Sequence, residues 1–498
     1  LPDTRVERAA DGSPRAIVTG ARRVSFRQDA GGRLLREEEH GRLVREVFFG
    51  PRERTRWLRD AKRGTTHYRW DLAGRLLSAR DEAGELLRAR YDEAGRLCSL
   101  RDAAGNTVRY RYLDARRVRI EDPSAGLRVL ERDAFGLIRR ELRGEAELRY
   151  SYERGRLVGR RRPGGVDRFR YDALGRLTRL EGPAGGLRLS YDAAGRVERL
   201  EHLGARQGVV VRYDARTGAR SALELPWGTV RYAYDRRGRL AAVRTPAGET
   251  IRCERDAEGQ RSALRFPNGV VTRYQREAGL LRRVETRRGE ELLSLRAYAY
   301  DDAGRPNAVR DETGAELSVE RDARGRVVAV REAEARARYV YDAADNRGGD
   351  GVEVAAGNRL RAQGELKLRY DARGALSAIE GPQGTRRFRY DVDGHLVQAE
   401  VEGETVRYGY APNGLRLWRE EGGQRTDLLS DGLHLLGELS GGEVQRSYVH
   451  GDEGVDELLA ARVGEQQLYV HQDLLQSVVA LSDEQGQRAA SFSYGAFG

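Results

Sequence analysis

The sequence predicts an all-β chain, a long array of β-hairpins wound as a spiral single-layer sheet around a hollow. Three observations predict it. One turn motif recurs every ten or eleven residues, the residues between turns alternate with period two, and the composition is too polar for several conventional cores.

The turn comes first because it sets the repeat. Its clearest copies are Tyr91-Asp92-Glu93-Ala94-Gly95-Arg96-Leu97, Tyr171-Asp172-Ala173-Leu174-Gly175-Arg176-Leu177, Tyr191-Asp192-Ala193-Ala194-Gly195-Arg196-Val197 and Tyr234-Asp235-Arg236-Arg237-Gly238-Arg239-Leu240. Asp can bond its own backbone two residues on, and Gly three residues later accepts positive φ. That is a type I turn closed by a glycine bulge, a common hairpin connection. The motif lacks the alternating oxygen ligands and distal Glu of a calcium loop. Asp214, Asp235 and Asp256, like Asp301, Asp322 and Asp342, step by 20 or 21 residues, with a looser turn such as Pro246-Ala247-Gly248 between. Each repeat is one hairpin plus the turn into the next.

The strands follow from alternation. Leu187, Leu189 and Tyr191 share one face against Arg188 and Ser190, and Val230, Tyr232 and Tyr234 oppose Arg231. With 39% hydrophobic and 34% charged residues and a mean hydropathy of −0.70, apolar residues serve one strand face at a time. Roughly three dozen strands at about 4.8 Å make a ribbon on the order of 170 Å long and about 20 Å wide. Twist forces so large a sheet to coil.

Other chemistry finds little support. The seven histidines (His40, His67, His202, His395, His434, His450 and His471) show no H-E-x-x-H spacing, and no G-x-S-x-G elbow or phosphate loop occurs. Cys98 and Cys253 form no C-x-x-C. No catalytic residue, metal site or cofactor is expected. A net charge of +12 comes from Arg interleaved with Glu at strand spacing, which reads as cross-strand ion pairing and not as a specific nucleic-acid surface. No stretch of 18 apolar residues spans a membrane.

The repeat resembles the YD repeats of Rhs (rearrangement hot spot) proteins, insecticidal toxin complexes and teneurins. Two further segments resemble the bacterial Rhs core. One runs Tyr448-Val449-His450-Gly451-Asp452-Glu453-Gly454-Val455-Asp456-Glu457, and the other Tyr469-Val470-His471-Gln472-Asp473-Leu474-Leu475-Gln476-Ser477-Val478. Asn358-Arg359-Leu360 fits the family's N-R-L punctuation. Gln476 stands where the family usually has Gly, and Gly495 where it has Asp.

The resemblance implies a non-catalytic, cocoon-like shell that encapsulates a C-terminal toxin domain, tethered or cleaved, for interbacterial competition. It implies cytoplasmic synthesis in a Gram-negative bacterium and injection into target cells by a type VI secretion machine. A spike protein and an adaptor chaperone are then partners. The cleavage region and toxin are expected beyond Gly498, and a chain without Met at residue 1 is expected to be part of a longer polypeptide. Two alternatives stay open. One is a surface adhesion or carbohydrate-binding module; the other is a hydrolase using His471, Asp473 and Ser477.

The expected organisation is an irregular lead-in or the end of an earlier repeat over 1–25, the YD-repeat array over 26–420, and a terminal segment closing the shell over 421–498. The array is degenerate near Phe48-Phe49-Gly50 and at Arg276-Glu277-Ala278-Gly279. Ala344 to Gly357 is expected to protrude as a loop, and Tyr448, Tyr469, Phe492, Tyr494 and Phe497 to form a plug.

Overall fold

A computed structural model describes residues 4–9, 14–19, 22–39, 41–50, 54–332, 335–452, 454 and 456–497. Among these residues every regular element is a strand, fifty in all. They form long antiparallel sheets of 33 and 15 strands and one two-stranded ribbon, in which each strand pairs with its neighbours in sequence.

The predicted turn is what joins them. Asp92 N–H donates to the Arg96 carbonyl at 2.9 Å and Gly95 N–H to the Asp92 carbonyl at 2.9 Å. Gly95 has φ +78°, and the register slips by one residue on the strand after the turn. The tighter turns place two residues at positive φ, as at Glu402 (+54°) and Gly403 (+86°). That is the type I′ hairpin, whose twist matches its strands. Alternation holds as well: in Gly185–Tyr191, Leu187 is buried while Arg188 and Ser190 are exposed.

The chain divides into two compact units. The first comprises Leu1–Gly74, Arg212–Tyr339 and Arg446–Gly498; the second comprises Arg75–Val211 and Val340–Gln445. In each, late hairpin tips meet strands and tips from far earlier. The second unit joins Asp102 to Asn358, 256 residues apart, and His202 to Ser430, 228 apart. The first joins Lys62 to Arg305, 243 apart, and Tyr298 to Leu474, 176 apart. Dehydrated cores sit at these joints. Leu180, Leu187 and Leu200 pack with Ala411 and Leu417 in the second unit. In the first, Leu474 packs on the cluster of Leu281, Val284 and Tyr298.

Three expectations change. Of the two readings of 1–25, an irregular lead-in or the end of an earlier repeat, the described residues exclude the first: they form strands Thr4–Arg8, Pro14–Thr19 and Arg22–Gln28, paired in order, and pairing also crosses residue 420 without a break. Ala344 to Gly357 is not an unpaired loop. Arg347–Gly348 pairs with Val340–Tyr341, Val352–Ala355 with Arg359–Gln363, and Gly357 N–H donates to Asn106 Oδ1 at 2.7 Å. The five terminal aromatics form no common plug. Tyr469 is fully buried, whereas Phe492, Tyr494 and Phe497 are exposed. The strand that meets a second ribbon buries its aromatic, whereas Phe497 makes an edge contact with Tyr339, 5.0 Å between ring centres.

Candidate functional site: the repeat lattice and the terminal seam

The repeat motif is a zipper between successive hairpins. In each copy the Asp accepts the backbone and side chain of the Arg four residues on: Asp172 Oδ1 takes Arg176 N–H at 2.9 Å and Oδ2 takes Arg176 Nε at 2.7 Å. Asp92, Asp192 and Asp235 do the same. The backbone N–H of Arg96, and then its guanidinium, hold the Asp92 carboxyl below its ordinary range. The same guanidinium lies over the next repeat's tyrosine, Arg176 at 4.6 Å from the Tyr191 ring and Arg75 at 4.8 Å from Tyr91. That tyrosine closes the link through its hydroxyl. Tyr91 donates to the Leu76 carbonyl at 3.0 Å, Tyr171 to Leu157 at 2.9 Å, Tyr191 to Leu177 at 2.6 Å and Tyr234 to Arg220 at 2.9 Å.

Arg can take the tyrosine's place. Arg255 and Arg321 precede Asp in their repeats and donate to the carbonyls of Leu240 at 3.2 Å and Pro306 at 2.8 Å. The motif thus registers each hairpin on the last with contacts that tolerate a wet surface.

In the second unit a buried ionic node backs the joint. Glu141, 2% exposed, accepts Arg128 at 2.6 Å, Arg143 at 2.7 Å and the Tyr150 hydroxyl at 2.9 Å. Burial and the Glu141 carboxylate push the Tyr150 phenol up to about 12. Arg160 bridges buried Asp167 at 2.6 Å and Asp393 at 2.8 Å. Asp391, Asp393 and His395 gather closely enough to hold a cation. Their ligand atoms are engaged otherwise. Asp391 caps its own turn through the Asp393 and His395 N–H groups, and Asp393 is clasped by Arg160 through both oxygens.

The Rhs-like terminal motifs lie in the first unit and build its seam. His450, beside Tyr448, accepts the Tyr232 hydroxyl at its carbonyl, 3.3 Å. Gly451 N–H donates to the Glu457 carbonyl at 3.0 Å, and a Cβ on Gly451 would collide with the Glu457 carboxylate. That carboxylate is buried and paired with Arg261. Asp456 is exposed, its carbonyl accepting Gln472 Nε2 at 2.8 Å. Val455 lies outside the described residues, as do His40 and Glu453. Tyr469 donates to Glu249 Oε2 at 2.7 Å, and its ring tilts on Phe266 at 5.7 Å. Burial, with the Glu249 carboxylate, pushes this phenol far up.

His471, Asp473 and Ser477 do not form a triad. His471 Nε2 lies 2.9 Å from Ser482 Oγ and Nδ1 lies 3.3 Å from Thr272 Oγ1. Burial alone lowers its pKa to about 3. Asp473 Oδ1 accepts the N–H groups of Leu475 at 2.8 Å and Ser477 at 2.9 Å, an ordinary turn cap. His471, Asp473, Arg261 and Glu457 line a cavity of about 160 Å³. Gln476 adopts φ +65°, so the turn keeps its shape without glycine. Sequence reasoning missed Glu249, Arg261, Thr272 and Ser482. For Glu249, Arg261 and Thr272 the only sequence signal was membership in the array, since each acts across some 200 residues, whereas Ser482 meets His471 from the adjacent strand, 11 residues on.

Residues 300–498 match the teneurin YD-shell family and residues 171–209 the RHS repeat. No curated protein matches the chain in sequence. Its fold is similar to that of solved Tc toxin chains. For TcdB2-TccC3-TEV the identity is 16% and the TM-score 0.77, over 99% of this chain and 32% of that one. For TcdB2-TccC3 without its hypervariable C-terminal region the values are 16% and 0.68, over 99% and 32%. A Photorhabdus luminescens Tc holotoxin pore with a substituted TccC3 gives 15% and 0.64, over 99% and 30%. The chain spans about a third of the length of these solved chains.

Proposed function

We propose that this chain, whose residues 300–498 match the teneurin YD-shell family and residues 171–209 the RHS repeat, is a non-catalytic wall of a shell that encloses a toxin domain borne on the same polypeptide. The observation that carries the reading is the jointing of the wall. In each unit a ribbon only one sheet thick is sealed to a later ribbon by tips and strands some 200 residues away. Such joints give area without thickness, which suits a container. The exposed faces bear many Arg–Glu pairs, so a polar guest meets little apolar surface to hold it irreversibly. On this reading the guest is a tethered or cleaved C-terminal toxin, injected into competing bacteria with the help of a spike protein and an adaptor chaperone.

The test uses the full-length gene product, run by size exclusion and then by denaturing mass spectrometry of the single peak. A C-terminal fragment that co-elutes natively and separates only on denaturation is the expected result. One intact chain with nothing enclosed overturns the reading.

A second reading, adhesion to carbohydrate, has one observation in its favour. In the first unit Phe49, Tyr68 and Trp70 line an open groove of about 490 Å³ with Leu34, Val47 and Arg45. Retained binding to a glycan panel after Trp70→Ala would set it aside.

A further inference from the structure

The two stretches of the second unit, Arg75–Val211 and Val340–Gln445, carry their charges differently. In the later one, opposite signs stand directly across neighbouring strands. Lys367 faces Glu380, Arg387 faces Glu400, and Arg407 faces Glu420, which in turn faces Arg425. In the earlier one, arginine stands on arginine. Arg140, Arg149 and Arg161 line up across three strands, and Arg170, Arg179 and Arg188 across the next three. Like charges directly opposite cost a sheet stability. The hairpin plan does not demand them, since the later strands follow it with alternating signs.

Glutamates relieve only part of each row. Glu147 takes Arg140 at 2.6 Å and Arg149 at 3.0 Å, Glu181 takes Arg179 at 2.5 Å, and Glu201 takes Arg188 at 3.2 Å. Arg161 and Arg170 are left over, on the neighbouring strands where the two rows end. Arg168 is left as well, because the carboxylate across from it, Glu181, is held by Arg179. All three are exposed, and among the described residues none forms an ion pair. Arg161 faces Val166, four residues from Arg170, so the rows run roughly 13 Å apart. The floor between them is low: Ser151 stands across from Gly159, and Gly186 across from Glu181.

What this face lacks narrows what it can hold. It presents no aromatic side chain on which single-stranded bases could stack. Apart from Val166 it is polar, so a protein partner finds no dry core and a bilayer no anchor. The hairpin tips lie at the strand ends, so no loop rises from it to read base edges in a groove. Guanidinium rows remain, and these suit phosphate, which they bind through two parallel N–H bonds. We propose that the face binds the phosphate backbone of double-stranded DNA without regard to base sequence. One backbone lies in the trough, and Arg161, Arg168 and Arg170 displace its counterions. This does not depend on what the chain encloses.

Fluorescence anisotropy of the whole chain with short labelled duplexes tests it. Two duplexes of unrelated sequence should bind alike, and affinity should fall steeply between about 50 and 200 mM salt. The triple variant Arg161→Gln/Arg168→Gln/Arg170→Gln should bind at least about tenfold more weakly at low salt, with a log–log salt slope shallower by roughly 2.7, about 0.9 for each lost phosphate contact. Its melting midpoint should not fall, because the change relieves repulsion. Arg369→Gln/Arg387→Gln/Arg407→Gln removes the same charge from the alternating strands and should bind nearly as wild type does. If the first triple variant melts lower, Arg168→Gln alone must still flatten the slope by about 0.9. No duplex binding by wild type, preference for one sequence, or equal losses in the two triple variants would each overturn the proposal. So would flotation of wild type on anionic phospholipid vesicles that the first triple variant abolishes while its duplex binding persists, which would assign the face to a membrane.

Discussion

The early strands of the first unit, Arg42–Phe49, Thr55–Asp60 and Gly64–Trp70, follow the same hairpin plan as its late strand Gln466–Gln472. They hold together differently. No residue of the three early strands is buried, whereas Gln467 to His471 are buried without a gap. The early strands rely on directional contacts: Phe48 stacked on Trp57 at 5.7 Å, Trp70 Nε1 donating to the Thr55 carbonyl at 2.8 Å, and Arg45 on Glu37 at 2.7 Å. The late strand rests on a second ribbon through Glu249, Phe266 and Thr272. A single ribbon therefore fixes its register with hydrogen bonds and stacked cations, and gains a dry core only where another ribbon covers it.

Substitutions at the two kinds of region should separate them. Tyr469→Ala removes a buried ring and its hydroxyl bond, and should lower unfolding free energy by about 3–5 kcal/mol. Phe492→Ala, at a 42% exposed site, should change it by less than about 1 kcal/mol. Denaturant midpoints with unchanged slopes would check both, and equal effects would erase the distinction.

Acid should attack the covered region first. His471 is neutral in the fold, with a pKa of about 3 against an ordinary 6.5. The unfolded chain therefore takes up the proton first as pH falls below 6.5, and stability declines from there towards pH 3. At pH 5 the loss from this residue is about 2 kcal/mol. His471→Gln should flatten that slope in denaturation curves between pH 7 and 5. Burial lowers His202 in the second unit in the same direction.

Within the ribbon the effects are smaller. Tyr191→Phe loses the hydroxyl bond to Leu177 and keeps the ring under Arg176, so about 1 kcal/mol is expected. Hydrogen exchange should quicken locally at Leu177 and its neighbours. Smallest of all, Gln476→Gly should stabilise by up to roughly 1 kcal/mol, since its left-handed backbone is strained for a residue with a Cβ. A fall in stability there would mean that the Gln476 side chain, which lies against Gly454, contributes more than the strain.

Much of the ribbon was legible in the sequence because its information is local. Asp92 to Gly95 encode a turn in four residues, and Leu187 to Tyr191 encode a face in five. The roles of the Tyr191 hydroxyl and the Arg176 guanidinium were not legible, because the period places them one hairpin apart without saying which atoms meet. The joints were further out of reach. Nothing near Tyr469 announces Glu249, and nothing near Ala344 announces that the segment will fold onto Asn106. The sequence left 1–25 open between an irregular lead-in and the end of an earlier repeat because Thr4–Arg8 and Pro14–Thr19 lack the Y-D-x-x-G signature, and they pair all the same. Strand pairing needs donors and acceptors, not the motif.

The joints in the second unit are made largely through backbone carbonyls, those of Pro123, Ala184 and Val392 among them. Carbonyls are the same in every repeat. If recombination duplicates or deletes one hairpin, each later tip simply meets the neighbouring carbonyl, and the joint re-forms one notch along. A gene encoding this ribbon can therefore change its length in quanta of 20 or 21 residues, with adjustment needed only where side chains pair across the joint, as Arg160 does with Asp393 and Asp102 with Asn358.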